Sequence, residues 1–271
     1  MSTTLLILDL AGAVALLMWG LHMVQTGIQR AFGSDLRRLL ARLVGDRGRA
    51  ALAGLVVTAA LQSSTATGLM VASLAADGLI AGVPALAVML GANIGTTLIV
   101  QLLAFDVGHL APIAVLVGVV MHRSGGVTRS RDLGRVAIGL GLMLMALARL
   151  VAVMAPQEHA PGLRAAVGAI AGDPVIAVLA SAFVTWLAHS SAATVLLVMS
   201  FFAQGAIGLD GAIALVLGAN LGTALNPVIE GRNEPAGRRV AVGNLVLRGI
   251  GTVAVLAALP QTDHQGVSGQ L

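Results

Sequence analysis

Residues 62–98, QSSTATGLMVASLAADGLIAGVPALAVMLGANIGTTL, return at 189–225 as HSSAATVLLVMSFFAQGAIGLDGAIALVLGANLGTAL. The two stretches align without a gap at an offset of 127, and 19 of 37 positions are identical. A chain rich in Ala, Gly and Leu matches itself easily, so only the rarer agreements carry weight. These are Ser63/Ser190, Ser64/Ser191, Thr67/Thr194, Ser73/Ser200, Gly78/Gly205, Asn93/Asn220 and Thr96/Thr223. The hexapeptide GANxGT follows each Ser-Ser at the same spacing. The chain is therefore read as two related units.

The surroundings of the repeat fix its medium. Of 271 residues, 57% are hydrophobic and only 10% charged, with a mean hydropathy of +0.94. Soluble domains carry about 25% charged residues, so this chain is read as an integral membrane protein. It has no cysteine, which removes disulfides, thiolate metal sites and cysteine nucleophiles together. The net charge of +4 comes with 3% aromatics and no tyrosine, so stacking platforms for nucleic acid are lacking.

Apolar runs occupy roughly 5–24, 50–61, 65–76, 84–104, 107–121, 136–155, 174–188, 191–203, 211–229 and 240–259. A spanning helix needs about 20 residues. The pairs 50–61 with 65–76 and 174–188 with 191–203 are too short to cross singly, and each hinges on a Ser-Ser. They read as re-entrant hairpins, which survive at membrane depth only where buried or lining a cavity. With the remaining runs taken as about six spans, thirteen of the sixteen arginines fall on one side, in 30–49, 123–135 and 230–239. That side is expected to be cytoplasmic, with both termini outside. The offset carries the arginine-rich 30–49 onto 157–176, which holds only Arg164, so the two units are expected to enter the membrane from opposite sides.

The expected fold is thus an all-α membrane protein of inverted-topology repeats with two re-entrant hairpins and about six spanning helices. The first repeat is placed at 1–122, with its hairpin at 50–76 and a broken span at 84–104. A cytoplasmic loop follows at 123–135. The second repeat covers 136–260, with its hairpin at 174–203 and a broken span at 211–229, and 261–271 is a polar tail. Inverted repeats around a midplane site are the architecture of alternating-access transporters.

At a hairpin tip, Gln62-Ser63-Ser64-Thr65 offers hydroxyls that cap the returning helix, while its free N–H groups form an anion site. The alternative is that small residues merely allow helices to approach. In GANIGTT (91–97) and GANLGTA (218–224), glycines flanking Asn weaken a helix. An unwound turn there would free oxygens for a hard cation such as Na+. Simple Gly-x-x-x-Gly packing explains the glycines but not Asn and Thr. Neither motif contains an acid or base, so an anion entering would benefit from accompanying cations, which favours symport.

Both units resemble the type II sodium–phosphate cotransporter family, whose repeats carry a QSSS hairpin motif followed by GANIGTT. The likeness extends to the opening Gly-rich span and the RRVAVGNLVLRGIG run after the second repeat. It implies Na+-coupled uptake of inorganic phosphate across the cell inner (plasma) membrane, with no enzymatic activity and no cofactor besides Na+ as coupling ion. The implied phosphate ligands are Gln62, Ser63, Ser64, Thr65, His189, Ser190 and Ser191. The implied Na+ ligands are Thr67, Asn93, Thr96, Thr97, Thr194, Asn220 and Thr223. The second copy departs at His189, Ala192 and Ala224, which leaves its ion site or substrate open. Bacterial relatives often continue into a cytoplasmic helical domain, and a truncated chain and a minimal member both stay open. So do another small anion as substrate and a non-transporting phosphate sensor or scaffold; the oligomeric state is not set by the sequence.

Three single residues stand out. His189 either titrates at its tip or simply makes a hydrogen bond. Arg248, mid-span, either neutralises phosphate or snorkels to an interface, since an arginine at the bilayer centre costs at least about 2.5–3.5 kcal/mol. Arg149 is expected to snorkel. His189-Ser190 lacks a nucleophile elbow, which argues against a hydrolase.

Overall fold

The computed structural model describes residues 3–43, 45–103, 110–124, 126, 128–154, 161–230 and 235–259. Eleven helices make up these residues: α1 (Thr3–Leu43), α2 (Arg47–Leu61), α3 (Ser64–Ala76), α4 (Gly82–Leu103), α5 (Leu110–Ser124) and α6 (Thr128–Met154), then α7 (Pro161–Gly172), α8 (Pro174–Ala188), α9 (Ser191–Ala203), α10 (Leu209–Glu230) and α11 (Pro235–Ala258). The offset of 127 reproduces element boundaries residue for residue: α2 maps onto α8, α3 onto α9 and α4 onto α10. Local chemistry repeats with it. Asp46 caps α2 by accepting from the Arg49 N–H, and Asp173 caps α8 by accepting from Val175 and Ile176. The turns after α3 and α9 each close on a left-handed glycine, Gly78 (φ 71°) and Gly205 (φ 62°).

Short helix pairs, α2 with α3 and α8 with α9, occupy the stretches 50–76 and 174–203, each broken at its Ser-Ser. Other expectations change. The arginine-rich 123–135 is not a loop: α5 runs to Ser124 and α6 starts at Thr128, so Arg129, Arg131 and Arg135 ride on a helix. Arginine is a good helix former, and charge alone does not end a helix. Likewise α1 runs 41 residues, about 60 Å at 1.5 Å per residue, and carries the first arginine cluster past the hydrocarbon thickness. The second unit divides the corresponding stretch into α6 and α7, and α7 meets α8 at a bend of 113°.

Among the described residues four helices are long and apolar enough to cross a membrane, or five if the bent pair counts as one span. The apolar helices Gly82–Leu98 and Leu110–Ser124 fall short of that length. The 261–271 tail and residues 104–109 lie outside the described residues.

Packing joins the repeats around one interior. α2 lies along α4, α8 along α10, and α1 along α6, while α11 crosses α3, α4 and α10. Leucine, valine and alanine fill the seams, with Leu17, Val24 and Met143 buried between α1 and α6, and Val57, Val71 and Val88 among α2, α3 and α4. Large apolar side chains such as Trp19, Leu116, Leu179, Leu187 and Val253 point outward, as lipid-facing positions do. Inside are Thr58, Thr67, Thr185, Thr194, Asn226, Asn244 and Arg248.

Candidate functional site at the hairpin tips

The backbone makes each tip in the same way. Gln62 (φ 52°) ends α2 and His189 (φ 54°) ends α8, and they are the only non-glycine residues with positive φ among those described. A left-handed residue with a Cβ costs roughly 1–2 kcal/mol, and such outliers gather at ligand clamps. The next residue swings to extended backbone. Ser63 and Ser190 then cap α3 and α9, their hydroxyl oxygens accepting from the Ala66 and Ala193 N–H groups at 3.1 Å each.

One turn further on, the two arms of each hairpin are joined by hydroxyls. Thr58 Oγ1 donates to Thr67 Oγ1 at 2.8 Å, which donates to the Ser63 carbonyl at 3.1 Å. In the second copy Thr185 donates to Thr194 at 2.9 Å, and Thr194 to the Ser190 carbonyl at 3.2 Å. Thr67 and Thr194, expected as ion ligands, thus fasten the hairpins in this conformation.

The tips converge. Gln62, Ser63, Ser64, Thr65, His189, Ser190, Ser191 and Ala192 line one cavity, with Gln25 of α1 and Thr223 of α10 closing its sides. All seven residues expected to bind phosphate are there. Gln25 Nε2 donates to the Gln62 carbonyl at 3.2 Å and steadies the first tip. The cavity measures about 10 Å³, room for roughly one water, so the tips are closed upon each other. Two buried polar atoms at the first tip, Gln62 Oε1 and Thr65 Oγ1, lack a hydrogen-bond partner. Their counterparts are His189 and Ala192; His189 Nδ1 lies 3.2 Å from the Leu187 carbonyl oxygen. The N–H groups at the first turn of a helix have no intrahelical acceptor. Two helix starts, four serines and two threonines therefore border one small cavity with no carboxylate in its lining.

The GANxGT segments differ from expectation. Neither helix is broken: α4 and α10 run helical through Gly91–Thr97 and Gly218–Ala224. Close helix contact is the reason. A Cβ on Gly91 would sit 1.7 Å from the Ala51 carbonyl oxygen, and one on Gly218 2.3 Å from that of Val178. The glycines let α4 and α10 lie backbone to backbone against α2 and α8, the packing role described above. Thr96 and Thr97 donate back to the carbonyls of Ala92 and Asn93 at 3.3 and 3.4 Å.

Asn93, Asn220 and Thr223 meet at a guanidinium. Arg248 Nε donates to Asn93 Oδ1 at 3.0 Å and its Nη2 to the same oxygen, while Nη1 donates to Thr223 Oγ1 at 2.6 Å and to the Asn220 carbonyl. Asn93 Nδ2 in turn donates to Asn244 Oδ1 at 3.4 Å, which orients the amide. Arg248 is 4% exposed, so it does not snorkel. Arg149 does not stand alone either: it pairs with Asp9 at 2.9 Å. Beyond Arg248, a cavity of about 270 Å³ opens between Leu90, Leu217, Asn93, Asn220 and Thr252. Among the described residues no group of three His, Cys, Asp or Glu is placed to hold a metal ion.

Sequence reasoning missed Thr58 and Thr185, which the same offset relates and which an alignment extended upstream would have found. Gln25 and Asn244 carry no repeat signal.

The profile of the family described as "Na+/Pi-cotransporter" matches residues 16–152 and 157–267. The chain belongs to that family. It is 41% identical over 253 residues to the "Putative inorganic phosphate export protein YjbB" of Salmonella typhimurium, covering 93% of this chain and 47% of that protein. The protein of the same name from Escherichia coli K12 is 40% identical over the same shares. The "Uncharacterized protein YqeW" of Bacillus subtilis is 23% identical over 94% of this chain and 83% of its own length. The chain thus spans about half the length of the YjbB proteins it matches. No solved structure matches it.

Proposed function

We propose that this family member carries inorganic phosphate across the cell inner membrane by alternating access. The anion is held between the two hairpin tips, and Na+ is the coupling ion that the family description suggests. The observation that carries the reading is the meeting of two serine-capped helix starts in one cavity that holds no acid. A phosphate leaving water needs several donors, and charge-assisted hydrogen bonds are worth about 1.5–3 kcal/mol each. The tips supply hydroxyls and unpaired N–H groups, with a buried arginine one hydroxyl away through Thr223. The YjbB proteins, named for phosphate export, support phosphate as the cargo.

The closed cavity is read as an occluded state between an inward-open and an outward-open form. An inverted arrangement of the repeats supplies both forms, since each hairpin would then serve one face of the membrane. Gly45 and Gly172 are equivalent under the repeat, both are exposed, and a Cβ at either meets nothing within 4 Å. Gly45→Cys should be labelled only from the cytoplasm and Gly172→Cys only from outside; labelling from one common side refutes the inversion.

Radiolabelled phosphate flux in proteoliposomes, with and without a Na+ gradient, tests the function. Saturable phosphate flux is expected. Flux of a dicarboxylate in its place would assign another anion to the same site, and phosphate binding without flux would make the chain a sensor.

A further inference from the structure

Asn93, Asn220 and Thr223 have the oxygen chemistry of a hard-cation site: an amide oxygen, a backbone carbonyl and a hydroxyl, contributed by both repeats. That place is filled. The Arg248 guanidinium donates to Asn93 Oδ1, the Asn220 carbonyl and Thr223 Oγ1, which are the oxygens a Na+ would take. We propose that Arg248 is a tethered cation that replaces a transported Na+ at this cluster. Transport would then run without Na+ at that position. The inference deepens the carrier reading and rests on it.

Three observations converge. The first is charge. Arg248 is 4% exposed, and the ion pairs of the described residues, Arg37–Asp77, Arg129–Asp35 and Arg149–Asp9, do not include it. A buried positive charge held by neutral acceptors alone is strongly unfavourable unless an anion comes near. The tip cavity offers a place for one a single hydroxyl away, because Thr223 both accepts from Arg248 and lines that cavity.

The second is asymmetry. The repeat carries Arg248 onto Met121 and Asn244 onto Val117, so the charge is present in one unit only. The two asparagines it joins are repeat equivalents, and the arginine links α4 to α10 as one cation between them would.

The third is orientation. Asn244, Arg248 and Thr252 stand one turn apart on α11, each buried, and Asn244 turns the Asn93 amide so that its oxygen faces the guanidinium. A Na+ in the same place would have to displace a side chain held by at least four hydrogen bonds.

The test is equilibrium binding of inorganic phosphate to the purified full chain, titrated with Na+ against K+ at constant ionic strength, for wild type, Arg248→Lys and Arg248→Gln. Removing the tethered charge should open the cluster to Na+. Arg248→Gln is expected to gain Na+ stimulation of phosphate affinity by about tenfold or more over wild type, while Arg248→Lys, which keeps a cation, follows wild type. Equal Na+ dependence in all three proteins overturns the proposal. Thr223→Ala keeps the arginine and serves if Arg248→Gln fails to fold. It should weaken phosphate without moving the Na+ half-saturation, and a tenfold rise in that half-saturation overturns the proposal. Wild type that binds phosphate only with Na+, through Asn93 and Thr223, refutes the tethered cation and leaves the carrier intact. Wild type that binds no phosphate under any ion condition removes both.

Discussion

Replacing Gly91 with alanine tests whether GANxGT is a packing surface. An added Cβ would lie 1.7 Å from the Ala51 carbonyl oxygen, 2.6 Å from its carbonyl carbon and 3.0 Å from its Cα, where ordinary contact begins near 3.4 Å. The obstacle is backbone, so no rotamer change relieves it. Helix α4 would have to withdraw from α2 by about 1.7 Å, or both would have to bend. Overpacking of a tight interior costs 1–3 kcal/mol and sometimes more, and a clash with main chain on both sides belongs at the upper end, about 3 kcal/mol. At 2–4 °C per kcal/mol, the unfolding temperature should fall by roughly 6–12 °C. Gly218→Ala, at 2.3 Å from the Val178 oxygen, should cost less. Gly33→Ala, with nothing within 4 Å, should be neutral or gain up to about 1 kcal/mol of helix propensity. Apparent unfolding temperatures in one detergent at one scan rate would rank the three variants. Gly91→Ala unfolding alongside Gly33→Ala would refute the backbone contact and restore the broken span.

Ser64→Ala or Ser191→Ala should weaken phosphate by about one to two decades each, since 1.4 kcal/mol is tenfold; isothermal calorimetry would measure it, and wild-type affinity in both would move the anion off the tips. Thr65→Ala should lose less, because the second tip already has Ala192. Thr58→Val and Thr185→Val each remove the donor to a buried threonine and should cost about 1–3 kcal/mol; unchanged unfolding of both would show that the staple contributes nothing. Asn93→Ala should destabilise by about 1.5–3 kcal/mol, because its side chain accepts from a charged group. Asn220→Ala should be milder, because Arg248 uses the Asn220 main chain; equal losses would argue against this asymmetry.

The hairpins were legible because Ser-Ser, a cap chemistry, recurs at a fixed offset, and chance does not supply that in an alanine-rich chain. The packing of GANxGT was not, because a glycine that frees a helix to unwind and one that admits a neighbouring carbonyl read alike in sequence; only Ala51 and Val178, about forty residues away, decide between them. The arginine-rich stretches misled for a related reason: charge can mark the edge of an apolar run without ending a helix, and α1 and α6 run on through their arginines. The partner of Arg248 lay furthest from view. Asn93 is 155 residues upstream, and no periodicity links them.

If the chain is the carrier proposed above, an arginine buried in its interior also makes it an electrical object before any cargo arrives. One elementary charge crossing the whole transmembrane potential exchanges about 2.3 kcal/mol per 100 mV. Were the empty protein to switch the face to which its centre is open, as the proposed cycle requires, part of the field would fall across that fixed charge. Voltage would then bias which face the resting protein presents. A monovalent phosphate would cancel the bias and a divalent one would reverse its sign, so the loaded and empty halves of the cycle would respond to voltage differently. Charge movements recorded without phosphate, present in wild type and lost in Arg248→Gln, would report it; their presence in both would place the sensing charge elsewhere.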